Sequence, residues 1–334
     1  MRVLVTDRKW PEREDPYGDV ARDAGAEIEY ADFERYEEVR EGCRDADVIL
    51  TSKAPLTREV IEGLENTRSI IRLGTGVDTI NLKAATEYGI PVSNVPGLYC
   101  AEELASHAIG LMLAAAHEIV LSDRAVREGP GWGRREDVNP MNQGTFGIVG
   151  LGHIGRAAVR KAQGLDMDVI AYDPYLADDL FEPLGVERVE FAELLARADC
   201  VSVHTPLTAE THHLFSTEEF AAMKEIAVLV NTARGPIVDE AALVEAVEAG
   251  TIWGAGLDVF ETEPPEDSPA LGCERIVCSP HHGGSCERSG AYALRSVREE
   301  LRRALTGEHL RNVVNPGALQ YSDELFSPEL EEWT

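Results

Sequence analysis

One segment limits the possible folds more than any other: TFGIVGLGHIGRAAVRKAQGLDMDVIAYDPY, residues 145–175. Its pattern predicts a strand ending at Val149, a turn with Gly150, Gly152 and Gly155, a helix over Arg156–Gly164, and a second strand over Asp168–Tyr172. Asp173 closes that second strand. Strand, glycine turn, helix and strand in this order make a right-handed βαβ unit. Each glycine has its own reason to be there. Gly150 permits the tight turn, Gly152 offers bare backbone, and Gly155 lets helix and strand pack closely. The helix start presents unpaired N–H groups and the positive end of its dipole, which suits a pyrophosphate. His153 and Ile154 lie between the glycines and belong to the same candidate cofactor site. Asp173 is placed to accept hydrogen bonds from ribose hydroxyls and to repel a 2′-phosphate, and no Arg or Lys follows it before Arg188. The segment therefore reads as a dinucleotide site that takes NAD in preference to NADP.

The same alternation runs through the rest of the chain. Further strands are predicted over Val3–Thr6, Asp47–Thr51, Ile70–Leu73, Pro91–Asn94, Cys200–Val203, Val228–Asn231, Gly256–Val259 and Arg275–Ser279. Helix-length segments such as Glu240–Ala249 separate most of them. Strands alternating with helices imply parallel sheets covered on both faces. Two series are expected, one over residues 1–98 and one from Thr145, joined by a long helix from Ala101 to about Val126. The helix over Gly290–Leu305 follows the last strand, so it is expected to return to the first domain. The fold class is α/β, with two doubly wound parallel-sheet domains and a cleft between them. A flavodoxin-like substrate domain takes 1–98 with 290–334, and a Rossmann NAD-binding domain takes 99–289.

Charge narrows the partners. The chain has 60 Asp and Glu against 31 Lys and Arg, a net charge of -29. The acids are dispersed rather than gathered in a tail, which reads as a halophilic surface, one built for concentrated salt that screens self-repulsion. Nucleic acid, which wants basic patches, is not an expected partner. The longest apolar stretch, Ala108–Ala116, is shorter than the roughly 20 residues a bilayer span needs. The opening MRVLVTD reads directly into a strand without signal-peptide anatomy, so a cytoplasmic protein with no membrane partner is expected. The six cysteines include no C-x-x-C pair, and Cys278 and Cys286 beside His281 and His282 match no standard zinc spacing, so no metal is expected.

Three later segments, VNTARGPIVDE (230–240), GLDVFETEPP (256–265) and SPHHGG (279–284), resemble those of the D-isomer-specific 2-hydroxyacid dehydrogenases, and the chemistry that this resemblance implies asks for the residue types they contain. Oxidising a secondary alcohol needs a base for the hydroxyl proton while hydride leaves the carbon. Histidine titrates nearest neutral pH and serves both directions; His281 and His282 are the candidates. A carboxylate on the far ring nitrogen fixes the tautomer and favours the imidazolium; Glu261 and Glu263 are the candidates. A planar guanidinium holds an anionic substrate in fixed geometry; Arg234 qualifies, with Gly235 expected to leave space beside it.

With RLGTGVDTIN (72–81), NVPGLYCAEELASHAIGLML (94–113) and NVVNP (312–316), these segments resemble the D-isomer-specific 2-hydroxyacid dehydrogenases over nearly the whole chain. The nearest branch by motif is that of phosphoglycerate dehydrogenases and C-terminal-binding proteins. The resemblance implies Arg234, Glu263 and His281 as the catalytic set. It selects His281 because that residue directly follows the proline, and Glu263 because it directly precedes one. It implies an NAD site of Gly150, Gly152, His153, Ile154, Gly155, Asp173, His204, Thr205, Pro206, Thr232, Ala233, Asp258 and Gly283. Substrate contacts are expected from Arg234 and, in the first domain, from Lys53, Gly74, Thr75 and Gly76, where a turn of small residues leaves N–H groups for an anion. The remaining histidines, His107 among them, have the ordinary structural reading.

The implied function is an NAD-dependent oxidoreductase that interconverts a small D-2-hydroxy acid and its 2-oxo acid. The implied assembly is a homodimer, built with the Ala101–Val126 helix and the Gly129–Arg135 loop. Formate dehydrogenases carry an amide where Glu263 stands, and phosphite dehydrogenases a lysine where Thr75 stands. Phosphoglycerate dehydrogenases commonly show arginines across Thr51-Ser52-Lys53, where only Lys53 is basic, and no regulatory domain is expected after the catalytic core; phosphoglycerate is thus a possible but not the favoured substrate. The alternative is an NAD-sensing scaffold, because LTREVI (56–61) onward also resembles the C-terminal-binding proteins. Their loop after the histidine carries a tryptophan, where this chain has His282-Gly283-Gly284-Ser285.

Overall fold

The computed structural model describes residues 1–7, 15–33, 35–129, 139, 141 and 143–321. Their contacts divide into two compact units, residues 1–99 with the segment from Glu287, and residues 100–286.

The first unit is built on β1 (Arg2–Val5), β2 (Glu27–Tyr30), β3 (Val48–Thr51), β4 (Ser69–Arg72) and β5 (Val92–Ser93). All pair in parallel, in the order β2-β1-β3-β4-β5. This is the flavodoxin order. Helices α1 (Gly18–Asp23), α2 (Tyr36–Cys43), α3 (Arg58–Glu62) and α4 (Leu82–Glu87) connect them. Successive strand side chains point to opposite faces, so the sheet fills two cores. Leu4, Ile49 and Ile70 pack with Val39, Val60 and Ala84 of α2, α3 and α4. Val3, Val5, Leu50 and Ile71 pack with Tyr17 and Ala21, and with Val297, Leu301 and Leu305 from the end of the chain.

The second unit opens with α5 (Ala101–Ala116) and α6 (Ile119–Glu128). The long helix expected here is broken at His117 and Glu118, and the two pieces meet at 58°. Glu118 adopts the left-handed conformation at φ 48°, and its buried carboxylate lies 3.7 Å from Arg275. Among the described residues, no single helix is long and apolar enough to cross a membrane. Of the Gly129–Arg135 loop, positions 130–135 lie outside the described residues. The chain continues through β6 (Thr145–Val149), α7 (His153–Gln163), β7 (Asp168–Tyr172), β8 (Glu187–Arg188), α8 (Phe191–Arg197), β9 (Cys200–Val203) and α9 (Thr217–Ala222). It ends with β10 (Val228–Asn231), α10 (Glu240–Glu248), β11 (Gly254–Leu257) and β12 (Ile276–Cys278). The parallel sheet has the order β12-β11-β10-β9-β6-β7-β8, the Rossmann order extended by one strand. The last helix, α11 (Glu287–Thr306), supplies Val297, Leu301 and Leu305 to the core of the first unit.

Candidate active site

Open parallel sheets bind ligands beyond the carboxyl ends of their strands. In the second unit every candidate residue stands there, after β6, β7, β9, β10, β11 or β12. Gly150 has φ +95°, and a Cβ on it would lie 2.8 Å from the carbonyl of His204. A Cβ on Gly155 would run into the carbonyl oxygen of Gly150, whereas one on Gly152 would meet nothing within 4 Å. Helix α7 begins at His153, earlier than the expected Arg156, so His153 and Ile154 form its first turn directly after Gly152. Asp173 accepts hydrogen bonds from the N–H groups of Leu151 (2.9 Å) and Tyr175 (3.0 Å). The hydroxyl of Thr232 is buried without a hydrogen-bond partner. Thr205 is half-buried and Pro206 exposed. His204 is half-buried, and desolvation of its ring pushes its pKa down to about 4. Open backbone at Gly152, a helix start beside it and an orphaned hydroxyl at a strand end fit a bound dinucleotide.

The turn after β10 is fixed by the buried Asn231, whose side chain donates to Arg234 O (2.8 Å) and accepts from Ala233 N (3.0 Å). Gly235 corrects one expectation. It leaves no space beside Arg234, because a Cβ there would strike the carbonyl of Phe260. The Arg234 turn and the segment leading to Glu263 therefore touch backbone to backbone. Glu263 accepts from Phe260 N at 3.3 Å, and its other oxygen lies 2.7 Å from His281 Nδ1. Burial pushes the Glu263 carboxyl up, but the His281 hydrogen bond and charge, the Phe260 N–H and the Arg234 charge together hold it below its ordinary value. The rivals are engaged elsewhere. Glu261 lies 2.7 Å from His213 Nε2, and the His282 ring packs edge-on against His107 at 5.2 Å.

Two residues expected at the cofactor bind one another. The buried Asp258 accepts from Gly283 N (2.8 Å), His282 N (3.1 Å) and the Ser279 hydroxyl (2.6 Å). His107, read from sequence as ordinary, reaches Ser279 Oγ at 2.8 Å from α5. In the first unit, the N–H groups of Ser52, Lys53 and Ala54 donate to Asp7 at 2.7, 3.0 and 3.1 Å. Asp7, an acid after a first strand, carried no sequence signal. The Arg72 guanidinium lies over Gly74, where a Cβ would go, and the Asn94 side chain donates to Thr75 O at 2.6 Å. The Thr75 hydroxyl is buried without a hydrogen-bond partner. Among the described residues, no group of three His, Cys, Asp or Glu is placed to hold a metal ion.

Residues 109–283 match the family model described as "D-isomer specific 2-hydroxyacid dehydrogenase, NAD binding domain". The chain is 41% identical over 318 residues to the D-3-phosphoglycerate dehydrogenase of Methanocaldococcus jannaschii, covering 94% of this chain and 59% of that protein. The chain thus spans about three fifths of that curated relative. It is 40% identical over 284 residues to the glyoxylate reductase of Korarchaeum cryptofilum, covering 82% of this chain and 84% of that one. Among solved structures, a glyoxylate reductase from Paecilomyes thermophila superposes with a TM-score of 0.84 at 31% identity, covering 94% of this chain and 98% of that one. With the matched model and these relatives, the chain belongs to the D-isomer specific 2-hydroxyacid dehydrogenase family, and NAD is its cofactor.

Proposed function

We propose that the chain interconverts a small D-2-hydroxy acid and its 2-oxo acid by NAD-dependent hydride transfer. The observation that carries this reading is the 2.7 Å contact between Glu263 and His281 Nδ1. A carboxylate on Nδ1 keeps that nitrogen protonated and leaves Nε2 to exchange a proton with the substrate oxygen; the tautomer is assigned from this network. NAD, when bound, takes up or supplies the hydride. In oxidation, neutral His281 takes the hydroxyl proton; in reduction, the imidazolium gives it back to the carbonyl oxygen. Arg234 holds the substrate carboxylate, and Asp173 the ribose hydroxyls. The Gly150–Gly155 turn and the start of α7 hold the pyrophosphate, while His204, Thr205, Pro206, Thr232 and Ala233 line the cofactor. In the first unit, Lys53 and the Gly74–Gly76 turn are the proposed contacts for an anionic substrate group. Residues 1–99 with those from Glu287 are the proposed substrate domain.

A homodimer belongs to the same proposal. No residue of α6 is buried, and Ile119, Val120 and Val126 expose 52%, 46% and 57% of their surface. A cytoplasmic location and adaptation to concentrated salt complete it, the latter resting on the net charge of -29.

The test is a panel of glyoxylate, pyruvate, hydroxypyruvate and 3-phosphohydroxypyruvate, each reduced with NADH. The chiral products are then resolved on a chiral column. At least one acid should turn over, and its chiral product should be the D-isomer. No turnover across the panel, or a product that is mainly the L-isomer, would overturn the proposal.

A further inference from the structure

We infer that His107 is a positioning residue for His281, acting through Ser279 and Asp258. The inference rests on the proposed role of His281 as proton carrier. His107 stands on α5, far from the catalytic motifs in sequence, with 23% of its side chain exposed. Its Nε2 lies 2.8 Å from Ser279 Oγ and 3.4 Å from Asp258 Oδ1. The direction of these bonds follows from counting hydrogens. Asp258 Oδ1 only accepts, and it lies 2.6 Å from Ser279 Oγ. The single hydroxyl hydrogen of Ser279 therefore goes to Asp258. The short contact from His107 must then be a donation, Nε2–H to Ser279 Oγ.

Asp258 is the point on which the catalytic loop hangs. Three successive N–H groups converge on it: His281 donates to its backbone oxygen at 2.8 Å, and His282 and Gly283 donate to its carboxylate. His281 itself sits at φ 51°, a left-handed conformation that non-glycine residues keep only where the surroundings over-determine it. Asp258 supplies that constraint, and Ser279 with His107 fixes the orientation of its carboxylate. There is no slack between helix and loop. A Cβ on Gly283 would lie 2.7 Å from Leu104, 2.8 Å from the His107 ring and 2.9 Å from Asp258. Removing the His107 donor frees the Ser279 hydroxyl to turn. The Asp258 carboxylate turns with it, and the loop carrying His281 follows.

The experiment compares wild type with His107→Leu, His107→Gln, Ser279→Ala and the His107→Leu/Ser279→Ala double variant. Gln keeps an N–H donor, and Ser279→Ala is a small change that guards against misfolding of the helix variants. Misplacing a catalytic group by about 1 Å costs on the order of 100-fold. His107→Leu is expected to lower kcat by roughly 10- to 100-fold on that scale, with KM for NADH within about twofold of wild type. His107→Gln should recover most of the loss. The double variant should be no worse than the more damaging single one, since the residues act in one chain of hydrogen bonds. Amide hydrogen exchange at His281, His282 and Gly283 should quicken in His107→Leu and stay near wild type in His107→Gln. Equal kcat losses in Leu and Gln variants, additive losses in the double, or unchanged exchange in His107→Leu would each overturn the inference. If wild type reduces no 2-oxo acid, the proposed function fails by itself, and the exchange rates still decide whether His107 holds this loop.

Discussion

Substituting Gly235 by alanine probes the site without touching a titrating group. A Cβ built on Gly235 lies 1.8 Å from Phe260 O, and real Cβ contacts do not fall below 3.0 Å, so the two backbones must part by at least 1.2 Å. Neither side yields cheaply, because both partners are main chain. One backbone leads out of Arg234 and the other leads into Glu263, which holds His281. The shift therefore separates the guanidinium from the imidazole–carboxylate pair. Overpacking of this kind costs about 1–3 kcal/mol. At roughly 2–4 °C per kcal/mol for a domain of this size, Tm should fall by roughly 2–12 °C. A displacement near 1 Å at the chemistry should lower kcat/KM by about 100-fold. The assay is steady-state reduction of the best 2-oxo acid, with NADH binding followed by fluorescence and Tm by circular dichroism. NADH binding should weaken less than turnover, because the Gly150–Gly155 turn proposed to hold the pyrophosphate lies on a different strand end, whereas only Thr232 and Ala233 of the cofactor lining share the displaced turn. A Gly235→Ala protein with wild-type kcat/KM and Tm would show that the two loops are not in the contact described, and the reasoning would fail.

Other expectations follow from the same geometry. His281→Asn should lose about 10²- to 10⁴-fold in turnover while still binding NADH, whereas His282→Asn should keep most of its activity; the reverse pattern would move the proton carrier to His282. His204 is held neutral in the fold with a pKa near 4, while the unfolded chain protonates it at about 6.5, so it weakens the fold as pH falls from 6.5 toward 4. Tm measured across that window should fall less steeply in His204→Gln than in wild type, and identical slopes would remove His204 from the account. Several surface arginines are each paired with two acids, as Arg197 is with Glu187 and Glu193, and acids outnumber Lys and Arg by 60 to 31. Tm and sedimentation coefficient should both rise from dilute buffer to molar potassium chloride; constancy of both would leave salt adaptation unsupported.

The strands most legible in the sequence are the buried ones. Thr145–Val149, Asp168–Tyr172, Cys200–Val203 and Val228–Asn231 are mostly apolar, with single polar residues such as Asp168 and Asn231 at their ends or Ser202 within, because parallel strands are covered on both faces. Strands β2 and β8 escape that pattern. Both lie at sheet edges, and Glu27-Ile28-Glu29-Tyr30 and Glu187-Arg188 read as surface. Strand β11 starts two residues before the predicted Gly256, since Gly254 looks like a breaker. There the glycines serve close packing: a Cβ on Gly254 would press on Arg275 O at 2.5 Å, and one on Gly256 on Leu111 at 2.6 Å. The break between α5 and α6 has no Gly or Pro to announce it; it depends on Glu118 taking a left-handed turn beside Arg275. At the site, motif residues were legible because their chemistry demands particular side chains. Asp7, His107 and Ser279 were not, because the contacts that bring them to the site, to Ser52, Ser279 and Asp258, span 45, 172 and 21 residues of chain.

Strand β12, which leads into His281, has three residues and stands at the end of its sheet, bonded to β11 alone among the described strands. Edge elements of this length are the first to fray on warming, because a single ladder and few side chains hold them. The turnover of this protein should therefore have a shorter heat lifetime than its fold. After brief heating, residual activity measured at the elevated temperature should fall before ellipticity does, and cooling should restore it. Loss of both signals together would mean that the edge melts only with the whole sheet.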